Sequence, residues 1–268
     1  MSTNYDYCLD KATLPGSNFY YAILFEKGDV KTSVIPLYAL HNEFIDCLTA
    51  SPDPGVTRLK FNWWHEELSR LSENSPRHPV TRTIQSTSDK YPDIISTLHK
   101  HLMTIESIVM NAQSENHRGW LENNSNEIGQ YWSMLNMFRE NTDNNLLIQN
   151  GALVFGLELL MLYPLFAEKV HRFICAELIS KHSSADGEVQ YHDVFEEIIC
   201  DYHKKLNQTY ISLCQTTPKT ALFNLILNRL ATTTCEEIKR DGFRLMKHRI
   251  QLTPIRKFWI SCCTRLGI

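Results

Sequence analysis

The sequence SNFYYAILFEKGDVKTSVIPLYALHNEFID fills residues 17–46, and DPGV (53–56), WWHEEL (63–68) and RHPV (77–80) follow it. Ser17 is suited to the N-cap of a first helix, because its hydroxyl can accept a hydrogen bond from a backbone N–H of the first turn. A second helix is predicted over 34–48, and the Pro- and Gly-containing turn at 51–55 ends it. Apolar residues recur at helical spacing over 55–71, which predicts a third helix.

The rest of the chain continues this helical pattern. No period-two alternation is sustained, and Asp241-Gly242 lies inside a helical pattern rather than in a hairpin. No linker rich in Gly, Ser or Pro divides residues 1–268, so one all-α domain is predicted. Further helices are predicted over 80–86, 93–112, 128–139, 146–172 with a bend near Pro164, 191–215 and 220–247, and from Thr253-Pro254 onward.

The composition is that of an ordinary globular protein, with 43% apolar and 21% charged residues. A formal charge of −3 supplies no field that would gather nucleic acid, so nucleic-acid binding is not expected. The eight cysteines include no CxxC pair, which favours buried thiols in a reducing compartment. The longest apolar run, 152–166, contains Glu158 and Pro164 and falls short of the roughly 20 residues of a spanning helix. We expect a cytoplasmic protein without a transmembrane segment or secretion signal.

The order and spacing of these motifs resemble the squalene/phytoene synthase family, and within it the bacterial presqualene diphosphate synthases. The resemblance is specific over 7–80, fair over 229–260 and weak between. It implies an isoprenoid (terpenoid) synthase-type helical bundle around a central cavity. Such proteins join two prenyl diphosphates head to head, and two acidic clusters on facing helices hold magnesium against the diphosphates.

The first acidic cluster of the family is mostly absent from this sequence. The resemblance places an Asp-Asp-x-x-Asp element at residues 45–49, after Leu-Tyr-Ala (37–39), where this chain has IDCLT. Asp46 is therefore the one acid that remains. Glu43 precedes it by three residues and shares its helix face, so the two could form a displaced metal site. The alternative is a pair of carboxylates on a helix surface.

The second acidic cluster is also missing. The resemblance aligns its acids with residues 162–167, shortly before Arg172, and that stretch contains no Asp. Glu158 and Glu168 lie ten residues apart and cannot share one helical turn. Single cations stabilise a leaving diphosphate less than divalent metal ions do. The basic residues that could replace the metal are Lys31, His41, Lys169, His171 and Arg172.

Several residues at the substrate end of the family motif are retained. Their hydroxyl groups could bind a phosphate, and an N-cap with an aromatic core explains the same residues equally well. Trp63 and Trp64 are interpreted as packing residues. The predicted substrate-binding set is Ser17, Phe19, Tyr20, Tyr21, Lys31, Tyr38, Glu43, Asp46 and Arg172, with no catalytic or metal-binding residue assigned.

We therefore expect a squalene/phytoene synthase-like protein that has lost prenyl transfer and binds a prenyl or lipid-like ligand or a protein partner. One alternative is an active presqualene diphosphate or phytoene-type prenyltransferase with magnesium at Glu43 and Asp46. Another is an assembly-factor-like subunit, or a subunit that forms a heteromer with an intact synthase. No cofactor is expected unless the magnesium-dependent alternative holds. Peripheral contact with a membrane is compatible with all of these.

Overall fold

The computed structural model describes residues 3–49, 51, 53–88, 91, 93–110, 120–136, 144–166, 174, 176–216, 222–247 and 250–268. Within these ranges the chain forms helices and no β-strand, apart from one isolated bridge between Ser183 and Val189. The all-α prediction is confirmed. The helices are α1 Asn4–Ala12, α2 Asn18–Ile23, α3 Gly28–Thr49, α4 Pro54–Ser72, α5 Pro79–Ser88, α6 Asp93–Met110, α7 Trp120–Asn123, α8 Ser125–Met134, α9 Asn144–Phe166, α10 Ala176–Lys181, α11 Tyr191–Thr216, α12 Leu222–Arg240 and α13 Pro254–Leu266.

Side-chain caps start the helices where the sequence predicted them. The Ser17 hydroxyl accepts a hydrogen bond from the Tyr20 N–H at the start of α2, and Thr253 does the same for the Arg256 N–H in α13. Helix α1 was not predicted. It is started by Thr3, which forms a capping box with Asp6, a pattern that the sequence contains at the expected spacing of three.

Helix α12 ends earlier than predicted. The pattern was read through to 247, whereas the helix stops at Arg240 because Gly242 has a φ of +75°. The Gly242 N–H donates to Lys239 O and the Phe243 N–H donates to Ile238 O, which is the Schellman arrangement that closes a helix at a left-handed residue. The placement of Asp241-Gly242 inside a helix was therefore wrong.

Other predicted boundaries differ in smaller ways. Helix α3 begins at Gly28, six residues before the predicted start, and it continues through Pro36. The short helices α7 and α10 were not predicted. The predicted helix ends at 112, 139 and 172 lie outside the described residues.

Helices α3 and α12 form the centre of the bundle. Helix α3 packs against α1, α4, α5, α6 and α9, and α12 packs against α2, α9, α11 and α13. One apolar core extends from Cys8 in α1 to Ile260 in α13. Helix α9 contributes the most apolar segment, and its window Asn144–Leu162 is long and apolar enough to cross a membrane by length and composition. Core helices of soluble proteins share that composition, and half of the window is buried in the bundle.

A buried carboxylate fixes the loop between α4 and α5. The Glu67 side chain has no exposed surface. Its Oε1 accepts hydrogen bonds from the Arg77 N–H at 2.7 Å, the His78 N–H at 2.8 Å and the Thr81 hydroxyl at 2.5 Å. Arg70 Nε donates to Oε2 at 2.8 Å. Burial alone would raise the pKa of Glu67, but these hydrogen bonds outweigh it and lower the pKa, so the carboxylate is charged and holds the loop.

We predict that Glu67→Gln destabilises the fold by roughly 2–4 kcal/mol, because the amide turns an N–H donor toward groups that are themselves donors. Urea denaturation measures this difference. The matched control is Glu66→Gln, since the neighbouring Glu66 side chain is 70% exposed and pairs with Arg70 at the surface. Equal midpoints for the two variants would refute the role given to Glu67.

Candidate functional site

The acid pair predicted on α3 lies against helix α1. Lys11 Nζ is 2.5 Å from Asp46 Oδ2 and 3.3 Å from Glu43 Oε1. The Tyr7 hydroxyl donates a second hydrogen bond to Glu43 Oε1 at 2.7 Å. The structure therefore brings Glu43 and Asp46 together as predicted, and one ammonium group from α1 bridges them.

The surroundings keep Lys11 charged. Partial burial would lower its pKa, but the hydrogen bond to Asp46 and the charge of Glu43 outweigh burial and raise it. Burial and the hydrogen bond to Glu43 raise the pKa of Tyr7 well above its usual value, so this hydroxyl remains a donor. A fixed positive charge thus occupies the space between the two carboxylates.

An open cleft of about 580 Å³ lies beside this acid pair. His78 contacts Trp64 edge to face, with ring centroids 4.9 Å apart, and contacts Trp63 at 5.8 Å. Trp64 is buried, as predicted for a packing residue, whereas Trp63 is 40% exposed. The cleft carries carboxylates and an ammonium group together with aromatic rings. Its lining residues are Glu43, Asp46, Cys47, Thr49, Lys60, Trp63, Trp64 and His78.

The opposite face of α3 is buried against aromatic rings. Phe19 stacks on Tyr38 with ring centroids 3.7 Å apart, and His41 Nδ1 lies 2.9 Å from His101 Nε2. His101 in turn stacks on Tyr131 at 3.6 Å. The Tyr131 hydroxyl donates to the backbone carbonyl of Leu37 at 2.5 Å, which fixes the ring against α3.

This burial excludes His41 as a cation that replaces the metal. The side chain is almost fully buried, and burial lowers the pKa of His41 to about 3. Burial and the neighbouring His41 also lower the pKa of His101. Both rings are therefore neutral at physiological pH, and the prediction of a possible charge at His41 was wrong.

The other predicted site residues lie in three different places. Ser17 is a helix cap, and Tyr21 is a buried residue that contacts the half-exposed Tyr20 edge to face. Lys31 Nζ donates to the carbonyl of Leu24 at the end of α2. Arg172, Lys169 and His171 lie outside the described residues. The structure thus joins Phe19 with Tyr38 and Glu43 with Asp46, on different faces of α3.

Helix α9 carries a carboxyl group on Glu158, a residue that is partly buried. Burial raises the pKa of Glu158 to about 7, and the charge of Lys257 partly opposes this. The same carboxylate, together with burial, raises the pKa of Tyr38, so Glu158 faces α3. Among the described residues no hydrogen bond to the Glu158 carboxyl is found, and Lys257 Nζ instead donates to Gly16 O at 2.6 Å.

These groups do not fit a magnesium site. Mg²⁺ requires several oxygen ligands in octahedral geometry, and charged carboxylates supply most of its affinity in proteins. Glu43 and Asp46 already share a lysine ammonium. Burial raises the pKa of Glu158 to about 7, so this carboxyl group holds a proton more readily than an ordinary glutamate does. The described residues therefore offer no set of free carboxylates for the metal.

Sequence reasoning missed the residues that define this chemistry, namely Lys11, Tyr7, His101, Tyr131 and Lys257. Lys11 lies within the range 7–80 over which the sequence resembles the family, but no helix was predicted for α1. The capping box at Thr3 and Asp6 and the buried residues Cys8 and Ala12, four apart, were the available signals. The partners of Glu158 and His41 come from distant helices, and no local pattern indicates such contacts.

The fold defines the class of protein: a helical bundle of the isoprenoid synthase type. The structure superposes on the crystal structure of squalene synthase HpnC from Alicyclobacillus acidocaldarius with a TM-score of 0.65. The match covers 90% of this chain and 94% of that chain at 12% identity, which establishes the fold. The sequence profile described as squalene/phytoene synthase matches residues 13–140, a range that includes α2 to α8. Over these residues, which are just under half of the chain, the sequence matches the squalene/phytoene synthase family, as the motifs predicted. Among curated proteins no sequence gives a significant match.

We predict that Glu158→Gln stabilises the protein at pH 8 by about 3 kcal/mol and has little effect at pH 4.5. The folded-state pKa is raised to about 7, so the native state holds a proton that the unfolded chain releases above about pH 4.5. The wild-type protein therefore loses stability as pH rises from about 4.5 to 7, and the amide removes this loss. Chemical denaturation at both pH values measures the effect.

The control for this experiment is Glu196→Gln on the exposed face of α11. Its stability difference from the wild type is expected to be small and independent of pH. A Glu158→Gln difference that is the same at both pH values would contradict the assignment of a protonated interior carboxyl.

Proposed function

We propose that this chain is a squalene/phytoene synthase-type protein that has lost magnesium-dependent prenyl transfer and acts by binding. One observation carries the proposal: the Lys11 ammonium lies between Glu43 and Asp46, the carboxylates nearest to the first acidic cluster of the family. A protein that retained metal chemistry there would need both carboxylates free to face a divalent cation.

A leaving diphosphate is a highly charged group, and its charge explains why the family uses divalent cations. Departure of this group builds up several negative charges, and divalent cations neutralise them as the bond breaks. Here two carboxylates and one ammonium carry a net charge of −1, and a cation at the same place would be repelled by Lys11. Displacing Lys11 would also break its contacts with both acids.

The interior face of α3 supports the same proposal. A prenyl chain that entered beside Tyr38 would have to displace the stacked Phe19 ring or the His41–His101 pair. These rings are fully or almost fully buried, so moving them would open cavities in a packed core. Binding away from this face of α3 therefore fits the structure better.

A second cleft supports a lipid-like ligand as the bound molecule. It has a volume of about 340 Å³ and lies where α7, α9, α10 and α11 meet. Its size lies at the lower end of the range of small-molecule sites. Charged residues at its rim, among them Glu122, Asp201 and Lys205, surround an apolar floor. The apolar residues that line it are Leu121, Ala152, Leu153, Leu160, Ile174, Leu178 and Ile198.

The remaining alternatives make different demands on the same residues. An active transferase with magnesium at Glu43 and Asp46 requires Lys11 to leave the acid pair. A heteromer with an intact synthase, or an assembly-factor role, requires a partner protein. Both are compatible with Lys11 between the two carboxylates. Loss of catalysis is common to the last two and to the binding role proposed for this chain.

We predict that the purified protein, incubated with farnesyl or geranylgeranyl diphosphate and magnesium, forms no presqualene diphosphate, squalene or phytoene above a heat-inactivated control. The physical reason is that the described part of the chain offers no set of free carboxylates for magnesium. Product analysis by mass spectrometry is the measurement, with an active synthase assayed in parallel. Product that disappears in Asp46→Asn would overturn the proposal and establish the transferase alternative.

A second prediction concerns Lys11. Lys11→Met keeps the length of the side chain and removes its charge, so Glu43 and Asp46 are left facing each other. We expect a loss of about 1 kcal/mol of stability, a modest value because the Asp46 side chain is 60% exposed. We also expect magnesium or calcium to raise the melting temperature of the variant and not that of the wild type.

The matched control is Lys60→Met, which removes an ammonium group from the same cleft without freeing the acid pair. Thermal shift assays with and without each metal measure both variants. If the metals stabilise the wild type as much as Lys11→Met, Lys11 does not exclude a cation from this position.

A further inference from the structure

Helix α13 buries its polar side and exposes its apolar side. The residues buried against the bundle are Lys257, Ile260, Ser261 and Thr264. Ile255 is 83% exposed, Trp259 is 68% exposed and Leu266 is 71% exposed. Ile255, Phe258, Trp259, Cys262 and Leu266 recur at helical spacing, so they form one continuous stripe, called here the α13 stripe.

Specific polar contacts hold α13 in this orientation. Lys257 Nζ donates to the Gly16 carbonyl at 2.6 Å and so connects α13 to the loop before α2. The buried hydroxyls of Ser261 and Thr264 donate to the carbonyls of Lys257 and Ile260 in the same helix, so this side of α13 can be buried without unpaired hydroxyl groups. Rotating α13 to bury the stripe would break the Lys257 contact and leave its ammonium group without this partner. The apolar stripe is therefore a stable surface of the folded chain.

The segment around α13 has a charge opposite to that of the whole protein. Residues 239–268 contain eight of the 27 Lys and Arg residues and one of the 30 acids, so this segment carries +7 and the other residues carry −10. Glu237, one helical turn before Asp241, pairs with Arg240 and Arg256 and reduces the local charge. Lys247 and Arg265 are exposed and no ion pair of theirs is found among the described residues.

We propose that the α13 stripe and its basic flanks bind the surface of an anionic lipid bilayer. Helices with Trp and Phe on an apolar face and Lys or Arg beside it insert that face at the level of the headgroups. Anionic lipids attract each additional basic residue near the surface. Trp259 and Phe258 provide the aromatic residues that favour the membrane interface. This inference does not depend on the loss of prenyl transfer.

The charge distribution favours a bilayer over a second copy of the chain. A two-fold symmetric contact places the same patch of both subunits face to face. Two α13 stripes in contact would bring two positively charged segments together, which is electrostatically unfavourable. A membrane with anionic headgroups offers the complementary charge and an apolar layer at the same time.

The test is co-sedimentation of the full chain with vesicles of phosphatidylcholine alone and of phosphatidylcholine mixed with phosphatidylglycerol. We expect binding to the anionic vesicles, weaker binding to the neutral ones, and weakening by salt. The double variant Phe258→Ser/Trp259→Ser should bind about tenfold or more weakly. The double variant Lys247→Gln/Arg265→Gln should lose about fivefold affinity per charge, on anionic vesicles alone.

The matched control is Leu59→Ser/Met103→Ser, which removes two apolar residues from α4 and α6 that are 69% and 61% exposed. It should bind as the wild type does. Trp259 fluorescence gives a second readout: its emission should shift to shorter wavelength with anionic vesicles, and Trp259→Phe should lose this shift while it retains most of the binding.

Three results would overturn the inference. The first is vesicle binding that the stripe variant leaves unchanged. The second is an absence of vesicle binding together with a dimer that Phe258→Ser/Trp259→Ser converts to monomer in size-exclusion chromatography, which would assign the stripe to a second copy. The third is that the protein neither binds vesicles nor forms a dimer, which would assign the α13 stripe to a protein partner. Because all substituted side chains are exposed, circular dichroism should show that each variant folds.

Discussion

The ammonium group of Lys11 determines the electrostatic character of the acid side of α3. It is 19% exposed and lies within hydrogen-bond or ion-pair distance of two carboxylates, one of which also accepts a hydrogen bond from Tyr7. These contacts join α1 to α3 and make the acid pair part of the fold. A divalent cation between Glu43 and Asp46 would have to displace the Lys11 ammonium group from both carboxylates.

On the interior side of α3 the described rings are uncharged. A cavity that binds diphosphate esters needs charged groups around it, and buried charges are stable only with partners. On that side Phe19 stacks on Tyr38, and the His101 ring contacts His41 and stacks on Tyr131. The histidines are uncharged because burial lowers the pKa of both. On this side of α3 the described rings pack against one another, and the two histidines carry no charge.

The sequence predicted the fold well, since helical periodicity, the caps at Ser17 and Thr253 and the family-like motif are local features. It also identified that acids were missing, because Ile45 and Thr49 can be read directly from the motif. It did not predict what replaced them. Lys11 is separated from Asp46 by 35 residues, and His101 from His41 by 60. Such contacts depend on how helices pack, and a single sequence carries no local signal for them.

The hydrogen-bonded pairs of buried asparagines are another feature that the sequence does not predict. Asn224 donates to Asn136 and Asn228 donates to Asn150, so two pairs of side chains join α12 to the region of α8 and α9. In the sequence each Asn looks like an interruption of an apolar pattern. In the fold the side-chain amides form hydrogen bonds with one another in pairs. This pairing sets the relative register of helices that apolar contacts alone would leave less defined.

Lys257 connects the interior of the bundle to its surface. Its charge lies near Glu158 and opposes the effect of burial on that carboxyl, while its hydrogen bond to Gly16 fixes the rotation of α13. A rotation of α13 that buried Trp259 would move Lys257 away from the core, and the pKa of Glu158 would then rise further because its neighbouring cation would be gone. Lys257 thus links the rotation of α13, through its hydrogen bond to Gly16, with the charge near Glu158. Because Lys257 is buried on one side of α13, the residues of the α13 stripe on the other side face outward.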